Sequence, residues 1–460
     1  MKKYDAAIIG AGPGGYVAAI RLAGLGVKTV IAEKAEVGGT CLNTGCIPTK
    51  TLIKNAEIIR EVKQAAKRGL RIAEPEVDMR ATMEMKDKVV SGLAGGVKSL
   101  LKANGVDLIK GEAELLSENK LSVAGEEIAF DNLIIATGST NFMPPIPGLD
   151  GEGIMTSTEM LDLDHVPERL VIIGGGVIGC EMATVFSNFG SKATIVEMLP
   201  SLLPSMDKDV SEVLRKNLRL SGVKALTDCR VTEVSGGPGG YKLKIAGSAG
   251  GASEIEADCV LVSVGRRPNV AGLQRLNLSL EENYIKVNER MQTGIKGVYA
   301  VGDVTGKLQL AHVASAQGIV AAENIAGRHS TMSYDVVPSC VYTIPEIGAV
   351  GMTEARARDA CEEIVVGKFP MAACGKALAM GFSLGFTKLI ADKKSGRILG
   401  CHIIGPNATE IIGEAAAVMQ SGGTLRDISR TIHAHPTVGE TLMEAAHLAL
   451  GEPIHVLRGL

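Results

Sequence analysis

Tyr4-Asp5-Ala6-Ala7-Ile8-Ile9-Gly10-Ala11-Gly12-Pro13-Gly14-Gly15 is an apolar run that ends in a cluster of glycines, and the residues behind it, Tyr16-Val17-Ala18-Ala19-Ile20-Arg21-Leu22, have helical spacing. Strand, glycine turn, helix is the setting in which Gly-x-Gly-x-x-Gly binds a dinucleotide. The glycines allow a tight turn and let backbone amides approach a pyrophosphate at the helix N-terminus. Gly10, Gly12, Gly14 and Gly15 are therefore candidate binding residues. Glu33 closes the next strand, Val30-Ile31-Ala32. It lies about 18 residues past the last glycine, close to the spacing of a carboxylate that accepts from ribose hydroxyls.

The same pattern recurs at Leu170-Val171-Ile172-Ile173-Gly174-Gly175-Gly176-Val177-Ile178-Gly179, with Glu197 again about 18 residues beyond the last glycine. Gly174, Gly176, Val177, Ile178 and Gly179 form the second candidate turn. A lone glycine turn can exist for packing alone, whereas two in full context, each with its acid, predict two dinucleotides in one chain. Glu197 predicts NAD rather than NADP at the second site, because a carboxylate there hydrogen-bonds a free 2′-hydroxyl and repels a 2′-phosphate. The fold expected is α/β, with two Rossmann-like domains followed by a C-terminal α+β domain.

Composition agrees with that organisation. The chain has 460 residues, room for two to four domains, and 56 glycines with no tryptophan, a profile that fits many βα turns. A formal charge of −3 provides no strong field for nucleic acid or an anionic membrane. No apolar run approaches the roughly 18 residues of a membrane span, and Lys2-Lys3 leads into a strand pattern without a signal-peptide core. A cytoplasmic location is expected. Nine cysteines without framework spacing fit a reducing compartment, with Cys180, Cys229, Cys259, Cys340, Cys361, Cys374 and Cys401 read as small buried hydrophobes.

The remaining two cysteines stand apart. Gly38-Gly39-Thr40-Cys41-Leu42-Asn43-Thr44-Gly45-Cys46-Ile47-Pro48-Thr49-Lys50 puts them five residues apart directly behind the first dinucleotide unit. On a regular helix that spacing points side chains roughly 140° apart, so a disulfide requires an irregular turn, which Gly45 permits. Leu52, Ile53, Ala56, Ile58, Ile59 and Val62 come next with helical spacing, and Pro48 suits a first turn. Cys46 should sit near a helix N-terminus, where a thiolate is stabilised. A structural disulfide does not suit a chain without a secretory signal, and a metal site lacks further ligands nearby. A redox-active pair is the favoured reading.

Thr431-Ile432-His433-Ala434-His435-Pro436-Thr437-Val438-Gly439-Glu440 is the second chemically suggestive stretch. His435 suits proton transfer near neutral pH, and Glu440 is placed to fix its tautomer. Thr437 and Glu440 also read as a capping box opening the next helix, and His-x-His as half a metal site without a third ligand. Asn132-Leu133-Ile134-Ile135-Ala136-Thr137-Gly138-Ser139 and Cys259 to Pro268 are strands ending at turns, and Pro144-Pro145-Ile146-Pro147-Gly148 reads as a linker. Asp303 closes the strand Val298-Tyr299-Ala300-Val301 and either caps the next segment or touches a cofactor.

Two dinucleotide turns, a CxxxxC pair and a C-terminal His-Pro…Glu together resemble the pyridine-nucleotide disulfide oxidoreductases, most closely the branch that oxidises dihydrolipoamide with NAD⁺, over essentially the whole chain. The resemblance implies FAD near Gly10, Gly12, Gly15, Glu33, Lys50, Ala113, Thr137, Gly138, Asp303 and Ala311. It implies NAD near Gly174 to Gly179, Glu197, Val231 and Gly265. Lys50 would pair with Glu181 beside the flavin, Cys46 would face the flavin, and Cys41 would exchange with substrate. His435, held by Glu440, would act as acid/base across the interface of a homodimer. The partner implied is the lipoyl domain of a 2-oxo acid dehydrogenase complex or of the glycine cleavage system. Domains are expected at 1–146 (FAD), 147–267 (NAD), 268–333 (return to the FAD unit) and 334–460 (interface). The chain departs from the branch's usual pattern at Val313 to Gln317 and at Ala372-Ala373-Cys374-Gly375. An NADH-dependent reductase of another low-molecular-weight disulfide or oxidant is the alternative activity.

Overall fold

The computed structural model describes residues 1–247 and 250–457. The strand Lys2–Ile9 lies inside a parallel sheet, between Thr29–Glu33, which also pairs with Asp107–Lys110, and Glu126–Ile135. Thr29–Glu33 is buried throughout and lacks polar/apolar alternation, as a strand covered on both faces should. The antiparallel strands Lys120–Val123 and Ala113–Ser117 extend one edge. Val298–Ala300, from far along the chain, adds to Glu126–Ile135 in parallel.

The second glycine turn belongs to a separate parallel sheet. Its strands lie in the order Lys224–Leu226, Lys192–Val196, Arg169–Ile173, Cys259–Val262, Ile154–Met155. Cys229–Gly237, Gly240–Gly247 and Ala252–Ala257 form an antiparallel sheet beside it. Chain enters this unit through Ser139–Asn141 and leaves through Arg266–Pro268, and these two segments pair antiparallel. The proline-rich segment after the entry is held rather than loose: Pro147 O accepts from Val234 N at 2.9 Å.

A five-stranded antiparallel sheet comes last, in the order Ser339–Val341, Glu346–Gly351, Ile398–Gly405, Phe386–Asp392, Ile364–Pro370. The helices Ala408–Gln420 and Glu440–Ala449 cover it. No helix among the described residues is long and apolar enough to cross a membrane.

The helix Cys46–Gln64 positions the cysteine pair. Its stripe of Leu52, Ile53, Ala56 and Ile59 is buried, and each Leu or Ile so placed contributes roughly 1.5–3 kcal/mol. The stripe shares one apolar cluster with Cys180, Met182, Val185 and Phe186 of the helix Val177–Phe189, and with Val341, Ile347, Phe386 and Ile404 of the third sheet. The helix is thus fixed against the second and third sheets.

A second junction is ionic. Lys388, 2% exposed, reaches Asp207 and Asp209 at 3.0 Å each and Glu354 at 2.6 Å. Asp207 also accepts from Asp209 N and Glu354 N, so it serves the starts of two helices, Lys208–Leu220 and Glu354–Ala360. Breaking a buried pair leaves carboxylates without their counter-charge. Lys388→Met should destabilise the protein by roughly 3–5 kcal/mol in urea unfolding monitored by circular dichroism. A loss below about 1 kcal/mol would show that the cluster does not hold the second and third units together.

Candidate functional site

Cys41 sits on the short helix Gly39–Asn43, and Cys46 is the first residue of Cys46–Gln64. The break between them at Thr44 and Gly45 brings the two thiols close enough for each to shift the other's titration. Gly45 is required for space rather than for a left-handed backbone. Its φ is −150°, and a Cβ there would lie 2.8 Å from Thr40 O. Both cysteines are half-buried. Their titration is split. The neighbouring Cys41 thiol brings the Cys46 thiol down to about 7, aided by the Lys50 charge and opposed by burial. The same proximity, with burial, pushes Cys41 far up.

Lys50 lies one helical turn on from Cys46. Its ammonium is 2.9 and 3.0 Å from the two carboxylate oxygens of Glu181 and 4.5 Å from the centre of the Tyr342 ring. Glu181, 3% exposed, also accepts from Tyr342 N at 2.9 Å. One carboxylate on the second unit's helix thereby holds a lysine from the first unit and a backbone amide from the third.

The cysteines open onto a continuous cavity of 1460 Å³ that runs between the two glycine turns. Single small-molecule sites usually measure about 300–1,000 Å³, so the size suits two bound dinucleotides better than one. Gly10, Gly12, Gly14, Glu33, Lys50, Ala113, Thr137, Gly138, Asp303 and Ala311 line one part of it. Gly174, Gly176, Val177, Ile178, Glu181, Glu197, Val231 and Gly265 line the other. Gly15 and Gly179 do not reach it. A Cβ on Gly15 would stand 1.9 Å from Gly10 O, and one on Gly179 2.0 Å from Gly174 O, so both serve close packing of helix against turn.

The chemistry of the walls fits FAD and NAD. Gly10 and Gly174 have φ of +100° and +107°, and a Cβ on either would strike the backbone of the neighbouring strand. Helices beginning at Pro13 and Val177 start at these turns without side-chain caps, leaving first-turn amides for an anionic group. Glu33 accepts from Ala11 N at 2.7 Å and Ala35 N at 2.8 Å. Glu197 accepts from Gly175 N at 2.6 Å and Leu199 N at 2.8 Å. Each carboxylate keeps spare lone pairs for ribose hydroxyls.

Asp303 is not a cap. The turn Gly302–Thr305 has Val301 at its N-cap and no side-chain cap bond, while Asp303 accepts from Ser139 Oγ. At the other end of the chain, His435 Nδ1 lies 2.9 Å from Glu440 Oε1, and Glu440 Oε2 accepts from Thr437 N at 2.8 Å. The reciprocal capping box does not form, because Thr437 Oγ1 turns to Ala434 O and the helix N-cap is Gly439. Glu440 thus orients the histidine and the loop together. Its carboxyl is held below the usual range: partial burial opposes this, but the Thr437 amide and His435 outweigh it. His435 is 80% exposed and does not line the cavity of its own chain.

Several wall residues carry no sequence signal. Arg266, Ser139, Tyr342 and His312 all line the cavity, brought there by contacts between segments remote in sequence. Among the seven remaining cysteines, Cys180, Cys259, Cys374 and Cys401 are buried as expected, whereas Cys229, Cys340 and Cys361 are only half-buried. Cys229 and Cys340 reach the cavity wall, and burial pushes the Cys340 thiol up to about 11.

The charge arrangement around Cys46 gives a direct test. In the reduced protein, thiolate absorbance near 240 nm should titrate with a midpoint of about 7 and fade as pH falls below it. Cys41→Ala and Lys50→Met should each move that midpoint upward. A midpoint near the ordinary thiol value of about 8.5 in the unsubstituted protein would remove Cys46 as the stabilised thiolate.

Comparison with known proteins agrees with this geometry. Residues 4–318 match the model of the pyridine nucleotide-disulphide oxidoreductase family, and residues 337–446 match that family's dimerisation domain. The chain is 44% identical to a dihydrolipoyl dehydrogenase of Haloferax volcanii over 98% of this chain and 97% of the relative. It is 42% identical to the mitochondrial dihydrolipoyl dehydrogenase of Pisum sativum, covering 98% and 92%. Among solved structures, the HOCl-induced flavoprotein disulfide reductase RclA from Escherichia coli superposes with a TM-score of 0.87 at 31% identity, covering 97% and 100%. With the glycine turns, the cysteine pair and the full-length match in agreement, the chain belongs to the pyridine nucleotide-disulphide oxidoreductase family, and FAD and NAD are the cofactors its cavity takes.

Proposed function

We propose that the protein oxidises dihydrolipoamide to lipoamide with NAD⁺, through a disulfide between Cys41 and Cys46. The observation that carries this reading is the cysteine pair at the meeting point of the two dinucleotide clefts. The choice of dithiol rests on relatives named for it at 40–44% identity. Bound FAD would accept an electron pair from the reduced cysteines and deliver it as hydride to NAD⁺.

The chain's own residues do the sulfur and proton chemistry. Only a thiolate attacks a disulfide, so a base must first deprotonate the dithiol, and His435 Nε2 is free to do so because Nδ1 faces Glu440. The substrate thiolate attacks the Cys41 sulfur, and Cys46 leaves as a thiolate. That departure is favoured by the helix N-terminus and by Lys50. The second substrate sulfur then displaces Cys41 from the mixed disulfide and closes the lipoyl ring, and two electrons remain on the cysteine pair. Glu440 steadies the imidazolium between these steps.

His435 is exposed and stands apart from its own cavity, and Ile432 beside it is 97% exposed in a single chain. Both features support a homodimer in which each His435 serves the other chain's Cys41. We place FAD on residues 1–146 with a return at 268–333, NAD on 147–267, and the interface on 334–460. The lipoyl arm would come from a 2-oxo acid dehydrogenase complex or the glycine cleavage system, and a cytoplasmic setting fits the cysteine usage.

A second reading is reduction of another small disulfide or oxidant with NADH. Structural likeness to the RclA disulfide reductase supports it, as does a leghemoglobin reductase of Glycine max at 41% identity. Assaying dihydrolipoamide with NAD⁺ and with NADP⁺ against glutathione disulfide with NADH separates the two. A larger kcat/KM for the second pair, or for NADP⁺ over NAD⁺, would overturn the proposal. His435→Gln should cut turnover roughly 10²–10⁴-fold with thermal stability little changed. Glu440→Gln can still accept from Thr437 N but cannot stabilise an imidazolium as a carboxylate does. It should slow turnover and shift the pH–rate profile, and normal rates at every pH would withdraw the His435–Glu440 pair.

A further inference from the structure

Arg266 lies on the strand by which chain returns from the second unit, and all three of its nitrogens are engaged. Nε donates to Ser139 Oγ at 2.7 Å, Nη2 to Ser139 O at 2.7 Å, and Nη1 to Asn141 Oδ1 at 2.6 Å. Ser139 Oγ in turn contacts Asp303 Oδ2 at 2.5 Å. Because an arginine can only donate, Nε fixes the serine oxygen as an acceptor. The serine's single proton must then go to the carboxylate. Among the described residues Asp303 Oδ1 has no side-chain or backbone donor, and Asp303 lines the cavity.

We propose that Arg266 is a positioning residue for the flavin site, acting through the Ser139 hydroxyl to orient the Asp303 carboxylate and leave its second oxygen as an acceptor for a hydroxyl of bound FAD. The inference rests on reading Asp303 as a flavin contact. A bland alternative is that Arg266 only braces the ladder of Ser139–Asn141 against Arg266–Pro268, which already has Phe142 N on Gly265 O at 3.0 Å and Asn269 N on Gly138 O at 2.9 Å. The two differ in the part Ser139 plays. A brace needs the Ser139 carbonyl, whereas the relay needs its hydroxyl.

Flavin affinity of the holoenzyme provides the readout, taken from the fluorescence of FAD released on dilution to nanomolar protein. Arg266→Met and Ser139→Ala should each weaken FAD binding about tenfold or more, the size of losing one charge-assisted hydrogen bond. The double variant should bind no more weakly than the weaker single, because both changes break one relay. Arg266→Lys should fall between, since an ammonium can still donate to the serine oxygen but cannot span all three acceptors. Unchanged affinity in Ser139→Ala, or single effects that multiply in the double variant, would overturn the relay. Asp303→Asn tests the underlying reading separately: wild-type affinity there would show that Asp303 does not hold the flavin, whatever Arg266 does. Where Arg266→Met fails to accumulate as folded protein, Ser139→Ala and Arg266→Lys decide the matter alone.

Discussion

A carboxylate that is 3% exposed must have its charge met, and Glu181 meets it with groups from two other parts of the chain, Lys50 and the amide of Tyr342. The remaining arrangement of the site depends on that requirement. Lys50 cannot leave without stranding a buried anion, so a positive charge stays one turn from Cys46 and favours its thiolate. Tyr342 cannot move without breaking the same contact, so the third sheet is tied to the helix that begins at the second glycine turn. Sulfur chemistry, nucleotide binding and the C-terminal domain share one electrostatic fixing point.

The apolar core acts in the same direction. The buried stripe of Cys46–Gln64 packs into a cluster shared by all three units, so Cys46 rides on a helix anchored beside the cavity. Where apolar packing gives way, the Lys388 cluster takes over and joins the second and third units with matched charges. Packing sets the distances between units, and buried ions set which groups face one another.

Legibility in the sequence depends on the range of the interactions. The glycine turns, their acids and the start of the cysteine helix are readable because each is decided within about 20 residues, by steric rules at Gly10 and Gly174 and by spacing after Cys46. The His435–Glu440 contact spans five residues and is equally visible, although a capping rule competes for the same carboxylate. Arg266, Tyr342, Lys388 and His312 leave no trace, because each acts on partners 26 to 181 residues away. Such pairings are settled only when sheets stack. Asp303 is ambiguous in the sequence for the same reason: its partner Ser139 lies 164 residues upstream.

Both crossings between the first and second sheets run through one doorway, the paired segments Ser139–Asn141 and Arg266–Pro268. A unit whose entry and exit lie side by side can be lifted out or grafted in without cutting the host sheet, as with other inserted domains. Here the doorway alone would not make the unit portable. Glu181 and Asp207 travel with the insert while Lys50 and Lys388 stay with the host. A graft that changed Glu181 would arrive with the right fold and leave Lys50 without its counter-charge, and one that changed Asp207 would take from Lys388 one of its three acids and from Glu354 N its acceptor. Exchange of this cassette between relatives is therefore constrained at two charge-matched seams rather than at its termini.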